Sequence, residues 1–194
     1  MARESHKERL LTEGLAVVHE RGFGGASVRD IARAAGAPQG SFTNHFASKE
    51  VFGLEVLNLY FSNAQVVIER TLRNDDLPPL KRLRAYFDAL TASVEEYESK
   101  RGCLFGNTCA EATDDNEALR VRLVEILDEL QGAFEYCLKA AVKIGELPPG
   151  TKVRELAGFI LSSFQGAVLF SRAYRGVALI ERFKRVLFSS IISK

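Results

Sequence analysis

Gln39, Ser41, Thr43 and Asn44 are four hydrogen-bonding side chains in close succession, and Phe42 and Phe46 are set among them at a spacing of four. Positions four apart share a helix face, so the two phenylalanines point to a core and leave the polar four on the opposite side. A short helix with an apolar back and a small polar front suits the major groove of DNA. That groove admits one helix, and its base edges are read by hydrogen-bonding side chains. Gly40 would let the backbone approach closely. His45 and Lys49 are placed for phosphates, and Ser27 and Arg29 for the backbone of the other strand.

A preceding helix and a turn must hold that face. Ser27 can cap a helix, with Asp30 completing a capping box, and Val28, Ile31, Ala32 and Ala35 follow at i, i+3, i+4 and i+7 spacing. Arg29 and Arg33 lie on its other side. Gly36 supplies a positive φ to end the helix, and Pro38 cannot continue it. The second helix begins near Gln39. Two helices joined by a short Gly-containing turn form a helix-turn-helix. A helical hairpin inside an ordinary bundle has the same spacing.

The 194-residue chain is long enough for one or two domains with a sizeable core, and 46% of it is apolar, which excludes wholesale disorder. Net charge is +1, and residues 1–50 hold seven basic against six acidic side chains. DNA binding would therefore rest on the placement of charge and on helix N-termini rather than on bulk charge. No uninterrupted apolar run approaches the ~20 residues of a membrane span, and no charged-then-apolar signal peptide opens the chain. The expectation is a cytoplasmic protein with no membrane contact. Cys103, Cys109 and Cys137 are odd in number and lack CxxC spacing, so neither a disulfide framework nor a zinc site is suggested, and no cofactor or metal is expected.

Taken in order, residues 3 to about 21 carry a stripe of Leu11, Leu15 and Val18, and Gly22 stops that helix. Gly22-Phe-Gly-Gly25 lies between helices rather than after a strand, so it reads as a turn and not a phosphate loop. Ser48 caps a long helix reaching about Leu72, and Asn74–Pro79 is a break. Helical seams follow from Leu80 to Tyr97 and from Leu119 to Ala141, ending at Gly145. Between them residues 103–112 read as a short, largely buried helix, with a further break at Asp114-Asp-Asn116. The last two helices span about Lys152–Tyr174 and Ala178–Ile192. The first is apolar on two faces, more than a single layer can bury. That pattern fits a subunit interface in which two copies form a four-helix bundle, or else intramolecular core on both faces. The predicted fold is all-α: an N-terminal three-helix helix-turn-helix domain plus a C-terminal helical bundle, about nine helices in all. The boundary is expected inside the long coupling helix, giving residues 4–64, with the motif at 27–46, and residues 65–194.

Ile31-Ala-Arg-Ala-Ala-Gly-Ala-Pro-Gln-Gly-Ser-Phe-Thr-Asn-His-Phe-Ala-Ser-Lys-Glu50 resembles the signature of TetR-family one-component transcriptional regulators, and Glu20-Arg-Gly-Phe-Gly-Gly-Ala-Ser27 fits that family's approach to the motif. The resemblance covers residues 7 to 60. Thr43 departs from it, standing where the family usually has a Tyr that touches a backbone phosphate. The resemblance implies a homodimer formed through the last two helices. It also implies a double-stranded operator as partner, palindromic to match the two-fold axis.

In such proteins the second half binds a small effector that favours one separation of the recognition helices over another. Candidate lining residues are polar or aromatic groups on otherwise apolar helices: Tyr97, Phe105, Asn107, Thr108, Glu111, Phe134, Tyr136, Phe164 and Gln165, each of which core packing would equally explain. The Gly102–Arg120 stretch, beginning Gly-Cys-Leu, resembles a branch that responds to electrophiles and acrylate-like acids, in which the cysteine matching Cys103 can be the reactive sensor. Lys100, Arg101 and a helix N-terminus would lower its thiol pKa; otherwise it is a small buried hydrophobe, as Cys109 and Cys137 are expected to be. His6, His19 and His45 all fall in the first part of the chain, so no Cys–His nucleophile pair arises in the second, and enzymatic function is not expected. The expectation is a repressor released by a small molecule or thiol modification. The alternatives are an activator of the same family, or a ligand-binding helical bundle without operator binding.

Overall fold

Ser5 and Glu8 begin the first helix by exchanging bonds: Glu8 N donates to Ser5 Oγ at 3.1 Å and Ser5 N donates to the Glu8 carboxylate at 2.8 Å. This reciprocal box satisfies two otherwise orphaned N–H groups. The computed structural model describes residues 5–97, 99–112 and 116–192. The expected helix start at residue 3, the domain start at residue 4 and the Asp114-Asp115 break lie outside those residues. In chain order the helices are α1 (His6–Gly25), α2 (Val28–Ala34), α3 (Gln39–His45), α4 (Lys49–Arg70), α5 (Pro79–Glu96), α6 (Leu104–Ala110), α7 (Glu117–Lys143), α8 (Val153–Tyr174) and α9 (Ala178–Val186). A π-helical segment, Leu187–Ile191, follows. The described residues contain no strand, as the apolar periodicity predicts.

The helix ends follow the local chemistry. Gly22, with φ +79°, breaks α1 where the sequence places a stop, although helical hydrogen bonding resumes as far as Gly25. Gly36 (φ +56°) and Gly145 (φ +77°) adopt the left-handed conformation after α2 and α7. Pro78 and Pro79 open α5, where a missing N–H costs nothing. Ser48 Oγ accepts from Val51 N at 3.3 Å at the start of α4.

The chain forms two compact units: residues up to Ser62 with Cys103–Val124, and Asn63–Gly102 with Glu125 onward. α6 and the start of α7, although they follow α5 in the chain, pack into the first unit. Phe105 explains this: its ring meets those of Tyr60 (4.9 Å) and Phe61 (6.3 Å) of α4. In the same unit Phe42, Phe46 and Phe52 form a triangle with centroids 5.1–5.2 Å apart. In the second unit Phe87 of α5 is central, meeting Phe134 of α7 (5.9 Å), Phe164 of α8 (4.9 Å) and Phe183 of α9 (5.2 Å).

The second unit also carries a polar staple. Buried Arg82 donates to Leu77 O at 2.6 Å and pairs with Asp75, and the Tyr136 hydroxyl donates to both Asp75 carboxylate oxygens at 3.0 and 2.8 Å. These bonds close the α4–α5 loop onto α5 and α7. By length and composition α4 and α8 could each cross a membrane, with a mean hydropathy of 1.3 over their most apolar stretch. On α8, Phe159, Leu169, Phe170 and Tyr174 are exposed.

Candidate nucleic-acid interface

The scaffold of the motif is built from α1 and α2. The Ser27 hydroxyl accepts from Asp30 N at 3.1 Å and donates to the Asp30 carboxylate. The box is therefore partial: Asp30 answers the Ser27 hydroxyl rather than its backbone N–H. Asp30 also pairs with Arg21 (3.3 Å) and Arg33 (3.5 Å). The Ser27 hydrogen bond, then the two arginines, hold its carboxyl below the ordinary carboxylate range. Arg9 of α1 donates to Ala35 O and lies against Gly36, where a Cβ would stand 2.7 Å from its Nη2. The α2–α3 turn is thus clamped by a residue that the local pattern does not single out.

On this support α3 presents Gln39, Gly40, Thr43, Asn44 and His45 to solvent, while Phe42 and Phe46 are 2% and 1% exposed. The seven-residue helix is about 10 Å long, within the ~12 Å width of the major groove. A Cβ at Gly40 would meet open space, so the backbone there is unobstructed. Thr43 donates its hydroxyl to Gly40 O at 3.0 Å, which leaves the oxygen able to accept. Ser41 is only half exposed, with Oγ 3.4 Å from His6 Nδ1. Arg29 is exposed on α2. Lys49 reaches back to the end of α1, with Nζ 3.4 Å from Gly24 O and 4.7 Å above the Phe23 ring. The nine sequence-predicted residues therefore share the first unit, with Gln39, Gly40, Thr43, Asn44 and His45 exposed together on α3. His6 and Arg9 are additions of the structure, because their partners lie 35 and 26 residues away.

The effector candidates are divided between the two units. Cys103, Phe105, Asn107, Thr108 and Glu111 belong to the first unit, and Tyr97, Phe134, Tyr136, Phe164 and Gln165 to the second. Several have structural employment. Phe134 packs on Tyr86 and Phe87, Thr108 donates to Leu104 O, and Tyr97 lies 4.1 Å beneath the Arg101 guanidinium. Glu111 Oε2 accepts from Gly24 N at 2.6 Å. Gln165 differs, since its buried Oε1 has no hydrogen-bond partner among the described residues. A cleft of about 700 Å³ in the second unit is lined by Asp75, Pro79, Arg82, Tyr136, Lys143 and Ile144 among others. Of the candidates it includes Tyr136. Among the described residues no cluster of three His, Cys, Asp or Glu could hold a metal ion.

Two family models match the chain: "Bacterial regulatory proteins, tetR family" over residues 10–56 and "Tetracyclin repressor-like, C-terminal domain" over residues 79–187. The HTH-type transcriptional repressor DhaR of Mycobacterium sp. (strain GP1) is 34% identical over 192 residues, 99% of this chain and 95% of that protein. The chain belongs to the TetR family. A crystal structure of the regulatory protein TetR from Rhodobacter sphaeroides superposes with a TM-score of 0.87 at 27% identity, covering 92% of this chain and 95% of that one. The fold also matches that of a cysteine mutant of the TetR-family regulator CifR complexed with 26-bp double-strand operator DNA, at TM-score 0.81 and 23% identity over 95% of this chain and 98% of that one. The chain is a DNA-binding transcriptional regulator with an N-terminal helix-turn-helix, and α3 occupies the recognition position of the motif.

Within this TetR-family chain the three thiols differ. Cys103 is the residue before α6, partly exposed, and its side chain makes no capping bond to that helix. Cys109 is exposed, contrary to the core position expected of it; desolvation of its thiol, then the neighbouring Cys103, push its pKa up. Cys137 is buried as expected, its Sγ donates to Pro79 O at 3.1 Å, and burial pushes it to about 12. At neutral pH it holds almost no thiolate, the reactive form.

Proposed function

We propose that this regulator is a cytoplasmic homodimeric repressor that binds a palindromic operator through α3 and is released by a small-molecule effector or by modification of Cys103. The observation that carries the reading is the exposed polar front of α3 on its buried Phe42–Phe46 back. Gln39, Thr43 and Asn44 would read base edges, with Ser41 at the margin of the face. Gly40 admits the backbone. His45, Lys49, Ser27 and Arg29 would hold phosphates, which set register without carrying sequence information. The function is binding rather than catalysis. The repressor sign rests on the 34%-identical relative, whose name describes a repressor.

Dimerisation through α8 and α9 is supported by the outward face of α8. Phe159, Phe170 and Tyr174 are 47%, 60% and 74% exposed. Spacings of 11 and 4 residues put them on one side of the helix. Gly166 lies between them, with open space where a Cβ would be, so a second helix can approach closely. A soluble chain would bury such a stripe against a copy of itself. The two-fold axis then presents two α3 helices to successive major grooves. In function, residues 4–64 form the DNA-binding domain and 65–194 the effector and dimerisation domain. In the latter, Gln165 is the strongest candidate for ligand contact because its Oε1 lacks a partner.

Selection of sites from random duplex DNA by the full-length protein, followed by salt titration on the enriched site, tests the proposal. A two-fold symmetric site bound with a steep negative salt slope is expected. Failure to enrich any sequence at low salt would overturn it.

A further inference from the structure

We propose that the Glu111 carboxylate is a positioning residue for operator binding, seating the end of α1 that leads into α2 and α3. The proposal rests on the operator-binding reading above and adds to it a residue outside the helix-turn-helix. Its basis is the fit between one side chain and two glycines. Gly24 N donates to Glu111 Oε2 at 2.6 Å. Gly22 has φ +79°, and a Cβ on it would lie 2.2 Å from Glu111 Oε1. A Cβ on Gly24 would lie 3.4 Å from Glu111 Oε2. The backbone at the end of α1, from its break at Gly22, is therefore shaped around the carboxylate: one glycine gives it room and the other gives it a donor.

The carbonyl of the same residue, in the next peptide, is also held: Lys49 of α4 has Nζ 3.4 Å from Gly24 O. Three residues on, Ser27 caps α2. The end of α1, which leads into α2, is thus held at Gly24 N by Glu111 at the end of α6 and at Gly24 O by Lys49 of α4. Glu111 is the residue that ends α6, and Cys103 is the one that precedes it. The contact is 87 residues apart in sequence, beyond the reach of any motif reading.

The test uses the full-length protein and the site it selects from random DNA. Glu111→Ala removes a charge-assisted hydrogen bond and is expected to weaken operator binding by about tenfold. Glu111→Gln keeps an acceptor at the same reach and is expected to restore affinity to within about threefold; Glu111→Asp, one methylene shorter, is not. The Gly24 amide proton should resonate downfield and exchange slowly in the wild type and in Glu111→Gln, and lose both properties in Glu111→Ala. A contact that only added stability would lower Tm in Glu111→Ala and leave the operator affinity of the folded protein within twofold of the wild type, which would overturn the proposal. If the wild type enriches no site, the operator reading itself fails. If it binds its site and Glu111→Ala binds within twofold of it, this proposal alone fails. Should Glu111→Ala not fold, an unshifted, fast-exchanging Gly24 amide in the wild type overturns the proposal, and a shifted, protected one supports it.

Discussion

Gly36→Ala perturbs the clamp that shapes the helix-turn-helix, and its cost has two separable parts. Gly36 sits at φ +56°. Putting a Cβ in that left-handed region costs roughly 1 kcal/mol relative to glycine. The new methyl would also stand 2.7 Å from Arg9 Nη2. Because that atom is the end of a flexible side chain, the guanidinium moves away rather than the backbone, and its bond to Ala35 O is lost. A part-buried hydrogen bond to a charged donor contributes about 1.5 kcal/mol. The sum is about 2.5 kcal/mol, a substantial share of the roughly 5–15 kcal/mol that stabilises a domain. Denaturant unfolding of the wild type, Gly36→Ala, Arg9→Ala and the double variant measures both parts. Arg9→Ala alone should cost about 1.5 kcal/mol. The double variant should cost no more than Gly36→Ala, a coupling of about 1.5 kcal/mol, since the same bond can be lost only once. Gly36→Asn should fall slightly below Gly36→Ala, because Asn tolerates positive φ but still carries the Cβ. Additivity of the two single changes to within about 0.5 kcal/mol would refute the reasoning.

Lys49→Ala should weaken binding about equally across DNA sequences and lower the salt slope by about one, read by anisotropy titrations at several salt concentrations; a changed base preference would contradict its phosphate role. Phe170→Glu, at a site 60% exposed on α8, should leave the fold intact and convert dimer to monomer in light scattering after size exclusion. The Asp75–Tyr136 pair gives stability a defined pH window. The Tyr136 hydroxyl, then Arg82, lower the Asp75 pKa below its ordinary 3.8, so that contribution is complete above 3.8 and is lost as pH falls through the folded value. Asp75 in turn raises Tyr136 above its ordinary 10.0, so the second contribution is complete below 10.0 and is lost as pH rises through the folded value. The Tm difference between wild type and Tyr136→Phe should therefore be flat between these limits and shrink outside them; a difference that varies across neutral pH would count against the staple.

Local chemistry made the helix-turn-helix readable. Gly36 and Pro38 end one helix, Phe42 and Phe46 orient the next, and all of this falls within about three turns of chain. The helices of the second half were readable for the same reason, since apolar spacing reports a helix face whatever that face packs against. The site's supports were not readable. Nothing near Arg9 indicates that its guanidinium closes a turn 26 residues later, and nothing near Ser41 indicates that His6 is its neighbour. Cys109 was misread as core because one apolar stretch cannot say which side of a short helix is outward.

What the sequence determined by itself was the class: an all-helical chain with a recognition helix whose polar and apolar faces are set by residues three and four apart. Tertiary structure alone decided membership and coupling. It placed Cys103–Val124 in the first unit through the Phe105 ring on Tyr60 and Phe61. It brought Glu111 to Gly24 across 87 residues. The physical reason is range. Helix propensity, caps and turns depend on neighbours a few positions away, whereas a carboxylate seated on a distant peptide exists only once the helices between them have packed.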